Sequence, residues 1–134
     1  MDSIAELIEK IGQKARSASG SLRIASTDQK NNALISIASQ IQENKQRILD
    51  ANNLDLEAAK KNNIEDALLD RLMLNDERLN SVIEGLHQIS TLSDPIGQIS
   101  DFKERPSGIK IGKMMVPLGV IGMIYESRPN VTVD

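Results

Sequence analysis

Apolar residues recur at helical spacing along the first two thirds of this chain, and then the pattern changes. Ile4, Leu7, Ile8, Ile11 and Ala15 fall on one helical face. Ser3 followed by Glu6 is a capping box, in which hydroxyl and carboxylate each satisfy a backbone N–H of the first turn. The stretch "RSASGSLR", with Gly20 among serines, is expected to break that helix. A second helix is expected from near Ser26, with Gln29 closing another capping box. Its stripe is Leu34, Ile37, Ala38, Ile41, Ile48 and Leu49. Asn52 and Asn53 are expected to end or kink it, and Leu54, Leu56, Ala58 and Ala59 to continue helically as far as "KKNN", Lys60 to Asn63. A further helical stretch covers Glu65 to Leu72. In the next, Asn75 caps, Asp76 and Glu77 favour the positive end of the helix dipole, and Leu74 staples onto Leu79. Its stripe is Leu79, Val82, Ile83, Leu86 and Ile89.

From Asp94 the pattern becomes extended. "DPIGQ" is turn chemistry, and two extended stretches then flank Arg105-Pro106-Ser107-Gly108, where Pro106 presets φ and Gly108 relieves the exit. Ile109 and Ile111 alternate with Lys110 and Gly112, so a β-hairpin is expected. Val116 to Tyr125 is nearly all apolar and reads as a strand buried on both faces, as in a parallel sheet covered by helices. The polar run "ESRPN" follows at its carboxyl end, the edge where open α/β sheets bind ligands, and Asn130 is placed to cap a helix from Val131. The expected organisation is a helical region over residues 1–93, a hairpin arm over 94–116 and the start of an α/β domain over 117–134. The buried strand has no crossover partner in this chain, so the pattern is that of an N-terminal piece of a larger α/β protein.

Composition narrows the chemistry. With one Phe and one Tyr among 134 residues, a core must come from Leu, Ile, Val, Ala and Met, and stacking platforms for single-stranded nucleic acid are missing. A net charge of -3 argues against a phosphate-backbone partner. No apolar run approaches the roughly 20 residues of a membrane span, and "MDSIAELIEK" is not a secretory signal, so a soluble, cytoplasmic protein without nucleic-acid or membrane partners is expected. There is no cysteine, which removes disulfides, thiolate metal sites and a thiol nucleophile. The one histidine, His87, lacks carboxylates at ligand spacing and reads as a solvated helix residue; no metal site is expected.

The tract "RPSGIKIGKMMVPLGVIGMIYESRPNVTVD", Arg105 to Asp134, closely resembles the signature segment of the gamma-glutamyl phosphate reductase family, the glutamate-5-semialdehyde dehydrogenases of the aldehyde dehydrogenase superfamily. "ILDANNLDLEAAKKNN" and "ALLDRLMLNDERL" stand in the family's order, so the resemblance covers essentially the whole chain as the first third or so of the family's length. The wider superfamily shares "PLGVIG" but continues with a Pro-Trp-Asn motif that is absent from this sequence.

The resemblance implies an α/β fold. It would be the N-terminal part of an aldehyde dehydrogenase-like structure, with amphipathic helices, a hairpin arm for oligomerisation and the first buried strand of a Rossmann-like parallel sheet. It implies NADPH-dependent reduction of L-glutamate 5-phosphate to the semialdehyde through a cysteine thioester, in proline biosynthesis. The complete enzyme would be a homo-oligomer associating with glutamate 5-kinase. Lacking the thiol, this chain would be inactive alone. Asn130 resembles the superfamily's oxyanion-stabilising asparagine, offset by about two residues, and equally suits a helix cap. Arg128 is implied as a clamp on substrate phosphate or carboxylate, with pairing to Glu126 as the structural alternative. Tyr125, Glu126 and Ser127 are implied beside the cofactor, whereas Gly119 and Gly122 do not make a phosphate-binding fingerprint. A reading from a different class is a helical interaction protein with the hairpin as docking arm and no chemistry. The "YESRPN" turn discriminates, because docking needs neither Arg nor Asn at a strand mouth.

Overall fold

A computed structural model describes residues 3–133, so Asp134, which ends the resembling tract, lies outside the described residues. The elements in order are α1 (Ile4–Ile24), α2 (Thr27–Glu43), α3 (Lys45–Lys61), α4 (Asp66–Leu72), α5 (Asp76–Ser90), β1 (Ile99–Glu104), β2 (Lys110–Met114) and a 3-10 turn (Pro129–Thr132). They divide into two compact units, one of Met1–Thr27 with Ser93–Gly122, the other of Asp28–Leu92 with Met123–Asp134.

In the first unit, the capping box forms as expected: Ser3 N–H donates to Glu6 Oε2 at 2.7 Å and Glu6 N–H to Ser3 Oγ at 3.2 Å. α1 then runs through Gly20 to Ile24, which corrects the expected break. A single interior glycine costs about 1 kcal/mol, whereas stopping and renucleating a helix costs more. The serines do not pull the chain into a turn: Ser19 donates its hydroxyl to the Arg16 carbonyl within the helix. Ile4, Leu7, Ile8 and Ile11 remain exposed along its face.

The hairpin forms with β1 and β2 antiparallel, pairing Ile99 with Met114 and Glu104 with Lys110. Its turn closes through Arg105 N–H to the Ile109 carbonyl at 2.9 Å and Gly108 N–H to the Arg105 carbonyl at 2.8 Å. Gly108 takes φ of 81°, a value that disfavours any side chain. A bulge between Ser100 and Lys103 turns Asp101 to a φ of 53°, and its carboxylate meets Lys113 Nζ at 2.8 Å. The preceding turn is organised by Asp94, whose carboxylate accepts from Ile96 N–H at 3.0 Å and from the Thr27 hydroxyl at 3.1 Å.

In the second unit, the helix break falls at Asn44 and not at Asn52. Asn44 donates its side-chain amide to the Gln40 carbonyl at 2.8 Å, competing with the regular backbone bonds there. Asn52 sits inside α3 and is only 4% exposed. Its Nδ2 donates to the Leu72 carbonyl at 2.9 Å and its Oδ1 accepts from Leu74 N–H at 2.7 Å. Local sequence favours a turn at asparagine, and a tertiary bond overrides that preference here. α3 ends at "KKNN" as expected, in a Schellman motif: Ile64 N–H donates to the Ala59 carbonyl and Asn63 N–H to the Lys60 carbonyl, both at 3.1 Å. Asn63 holds the left-handed position, φ 54°. α5 starts on Asn75, whose side chain accepts from Arg78 N–H at 2.8 Å. Ala38 of α2 and Leu79 and Leu86 of α5 are buried, with Leu34, Ile41, Ile48, Leu49, Val82 and Ile83 half-buried. Ile37 and Ile89, assigned to the same stripes, are exposed, as is His87.

Two expectations near the end are corrected. Val116 to Tyr125 is neither strand nor buried; Leu118 is 90% exposed. A strand exists by pairing, and the described strands pair only with each other. The helix expected from Val131 on an Asn130 cap is instead the 3-10 turn with Pro129 at its start, Arg128 at the cap position and Asn130 inside it. Proline's fixed φ suits the first helical position, so the turn begins ahead of Asn130.

Asn52→Ala is expected to cost about 1–3 kcal/mol, because it leaves the Leu72 carbonyl and Leu74 N–H without their partner. Amide hydrogen exchange should show Leu74 losing protection, and Asn52→Asp should not restore the donor to Leu72. The exposed apolar run from Val116 to Tyr125 should also bind a hydrophobic dye and drive concentration-dependent self-association, both reduced by Leu118→Lys with Ile121→Lys. Sedimentation showing a monomer at all concentrations would contradict this.

Candidate functional site

The last segment folds back on itself. Ser127 adopts φ 52°, an unusual left-handed value for a residue with a side chain. Tyr125 and Thr132 hydroxyls are hydrogen-bonded at 2.8 Å across the reversal, and Val131 N–H donates to the Arg128 carbonyl at 3.1 Å. The reversal lays Arg128, Pro129, Asn130 and Val133 along a cleft of about 510 Å3. The cleft is also lined by the α4–α5 corner, Asp70, Arg71, Met73 and Leu74, and by Arg78, Val82 and Leu86 of α5.

The corner is held from two directions. Asn52 binds Leu72 and Leu74 from α3. From α5, Arg78 donates Nη1 to the carbonyls of Asp70 and Met73, the latter at 2.9 Å, and pairs its Nη2 with Asp70 Oδ1 at 2.8 Å. Arg78 is therefore committed to the scaffold, with its charge met by Asp70.

Arg128 lies exposed at the cleft, and no ion pair forms between it and Glu126. Its planar fork can take a carboxylate or phosphate through two parallel hydrogen bonds. Asn130 is half-buried and lines the same cleft. The structure thus brings Arg128 and Asn130 to one cleft. Tyr125, Glu126 and Ser127 do not line it. The Tyr125 hydroxyl is bonded to Thr132, and Tyr125 and Glu126 are exposed. The cleft also gains Arg71, Arg78 and Asp70, which sequence reading passed over. They stand on helices with no motif to mark them, and only the fold brings them to the same cleft as Arg128.

Among the described residues, no group of three or more His, Asp or Glu is placed to hold a metal ion, and no helix is long and apolar enough to cross a membrane. What the cleft offers is cationic and amide recognition beside apolar surface; the chain carries no thiol for covalent chemistry.

No protein-family model matches the chain. Two curated relatives are named gamma-glutamyl phosphate reductase. The protein of Ruthia magnifica subsp. Calyptogena magnifica is 60% identical over 134 residues, which is 100% of this chain and 32% of the relative. That of Psychrobacter arcticus is 50% identical over 131 residues, 98% of this chain and 30% of the relative. Among solved structures, gamma-glutamyl phosphate reductase from Thermotoga maritima superposes with a TM-score of 0.89 at 44% identity, covering 96% of this chain and 31% of that one. The Saccharomyces cerevisiae enzyme gives 0.86 at 30% identity, covering 92% and 32%. The chain thus spans about a third of the length of the relatives it matches. In sequence and in backbone, this whole chain matches gamma-glutamyl phosphate reductases and corresponds to their N-terminal third.

Proposed function

We propose that this chain is the N-terminal part of an NADPH-dependent reductase that converts L-glutamate 5-phosphate to L-glutamate 5-semialdehyde and phosphate in proline biosynthesis, in the cytoplasm. The observation that carries the proposal is the shared cleft of Arg128 and Asn130, in a chain related over its length to reductases of that name. In the complete enzyme, a thiolate from another part of the protein displaces phosphate from the acyl group, giving a thioester. Two-electron reduction of the thioester releases the aldehyde and regenerates the thiolate. Tyr125, Glu126 and Ser127 would stand beside the nicotinamide cofactor that supplies the reducing equivalents.

The roles in this chain are two. Arg128 grips the anionic substrate. Asn130 donates its amide to the oxygen that becomes negative as the thiolate adds, where a prepositioned donor is worth most. Residues 1–93 serve as the helical region, 94–116 as the arm, and 117–134 as the opening of the cofactor domain. The hairpin is exposed along its length, and its bare edges suit a homo-oligomer contact. Glutamate 5-kinase, which makes the unstable acyl phosphate, is the partner whose association would protect it.

The test uses a complete reductase carrying this segment, assayed in the reverse direction with semialdehyde, phosphate and NADP⁺. Arg128→Ala should raise KM for semialdehyde or phosphate about tenfold to a hundredfold, since a charge-assisted contact is worth roughly 1.5–3 kcal/mol. Asn130→Ala should lower kcat by about 10²–10³. Asn130→Ser keeps a short polar side chain in the turn but cannot reach as the amide does. Full kcat in the Asn130→Ser enzyme would remove the oxyanion role. The 134-residue chain alone should show no turnover.

A further inference from the structure

The charge around the cleft is out of keeping with the rest of the chain. The protein is acidic, with 19 Asp and Glu against 16 Lys and Arg. Yet, among the described residues, the cleft is lined by Arg71, Arg78 and Arg128 and by one carboxylate, Asp70. That carboxylate is taken by Arg78 at 2.8 Å, so it offsets the one guanidinium already bound to the scaffold. Arg71 and Arg128 both line the cleft, and neither side chain has a hydrogen bond or ion pair among the described residues.

Arg71 is not free to wander. It is the residue before Leu72, whose carbonyl accepts from buried Asn52, and it follows Asp70, whose carbonyl and carboxylate accept from Arg78. Its backbone is pinned on both sides, and the side chain starts from a fixed point on the cleft rim. Two like charges lining one cleft, with no carboxylate paired to either among the described residues, favour a cleft that holds anionic groups. Met73, Leu74, Val82 and Leu86 also line the cleft, apolar surface that suits an alkyl spacer.

From this we infer that Arg71 is a second anion anchor in the same cleft as Arg128, so that the cleft selects ligands carrying two anionic groups joined by a short alkyl chain. This rests on the reading of the cleft as the substrate site, and it assigns to Arg71 a specificity role. One guanidinium takes the carboxylate end and the other the phosphate end. A substrate with one anionic end loses one of two bidentate contacts.

The test measures binding to the 134-residue chain below its self-association concentration, with 5-phosphonopentanoate as the two-anion probe and pentanoate and methylphosphonate as one-anion probes. The chain should bind 5-phosphonopentanoate at least about tenfold more tightly than either one-anion probe. Arg71→Gln should remove that advantage while leaving circular dichroism and Leu74 amide protection unchanged, and Arg71→Lys should restore part of it. Arg128→Gln should remove it equally. Wild-type affinity in Arg71→Gln, or no preference for the two-anion probe in the unaltered chain, overturns the inference. The selectivity is read without turnover. If it stands while Arg128→Ala and Asn130→Ala leave the complete reductase unaffected, the catalytic reading fails and the anion site remains.

Discussion

The bond pair on Asn52 is the constraint from which the candidate site follows. A buried amide side chain offers one donor and one acceptor side by side, and here they meet a carbonyl and an N–H two residues apart on one backbone segment. That geometry allows one placement of residues 72–74 relative to α3. Arg78 adds three contacts from α5 to residues 70 and 73, so the α4–α5 corner is tied to both neighbouring helices. The apolar core of this unit is small, with Ala38, Leu79 and Leu86 its buried hydrophobic residues. Packing alone would leave a seven-residue helix such as α4 poorly placed, and the polar ties supply what burial does not.

The rest of the cleft lining depends on local backbone chemistry. The left-handed Ser127, the proline that follows Arg128 and the hydroxyl pair of Tyr125 and Thr132 reverse the chain within eight residues. The reversal separates the "YESRPN" run into two groups with different surroundings. Arg128 and Asn130 enter the cleft, while Tyr125, Glu126 and Ser127 stay outside it. Six consecutive residues that look like one functional motif thus divide between cleft-lining and outlying positions.

Caps and turns were legible because their causes are local. Ser3 with Glu6, Asn75 ahead of Asp76, the "KKNN" stop and the Pro106–Gly108 turn each involve groups within a few residues of one another, and each formed as its chemistry requires. The misreadings share the opposite property. Gly20 and Asn52 carry helix-breaking tendencies of about 1 kcal/mol or less, small enough for helix propagation or one tertiary bond pair to reverse. The run from Val116 to Tyr125 has a strand's composition, but its strand state would come from neighbours that the described strands do not provide.

By itself, then, the sequence determined where most helices start and stop, where the hairpin turns, and that Arg128 and Asn130 belong to a specialised turn. These are consequences of capping, φ preference and hydrophobic period, all acting over a single turn of chain. Only the tertiary structure decided that Asn52 is a tether rather than a terminator, and that Arg78 is bound to the scaffold while Arg71 is left unpaired. It alone decided that Arg71 and Arg128, 57 positions apart in the chain, line one cleft. Which charges are neutralised, and which meet across a cleft, depends on distances that no local pattern encodes.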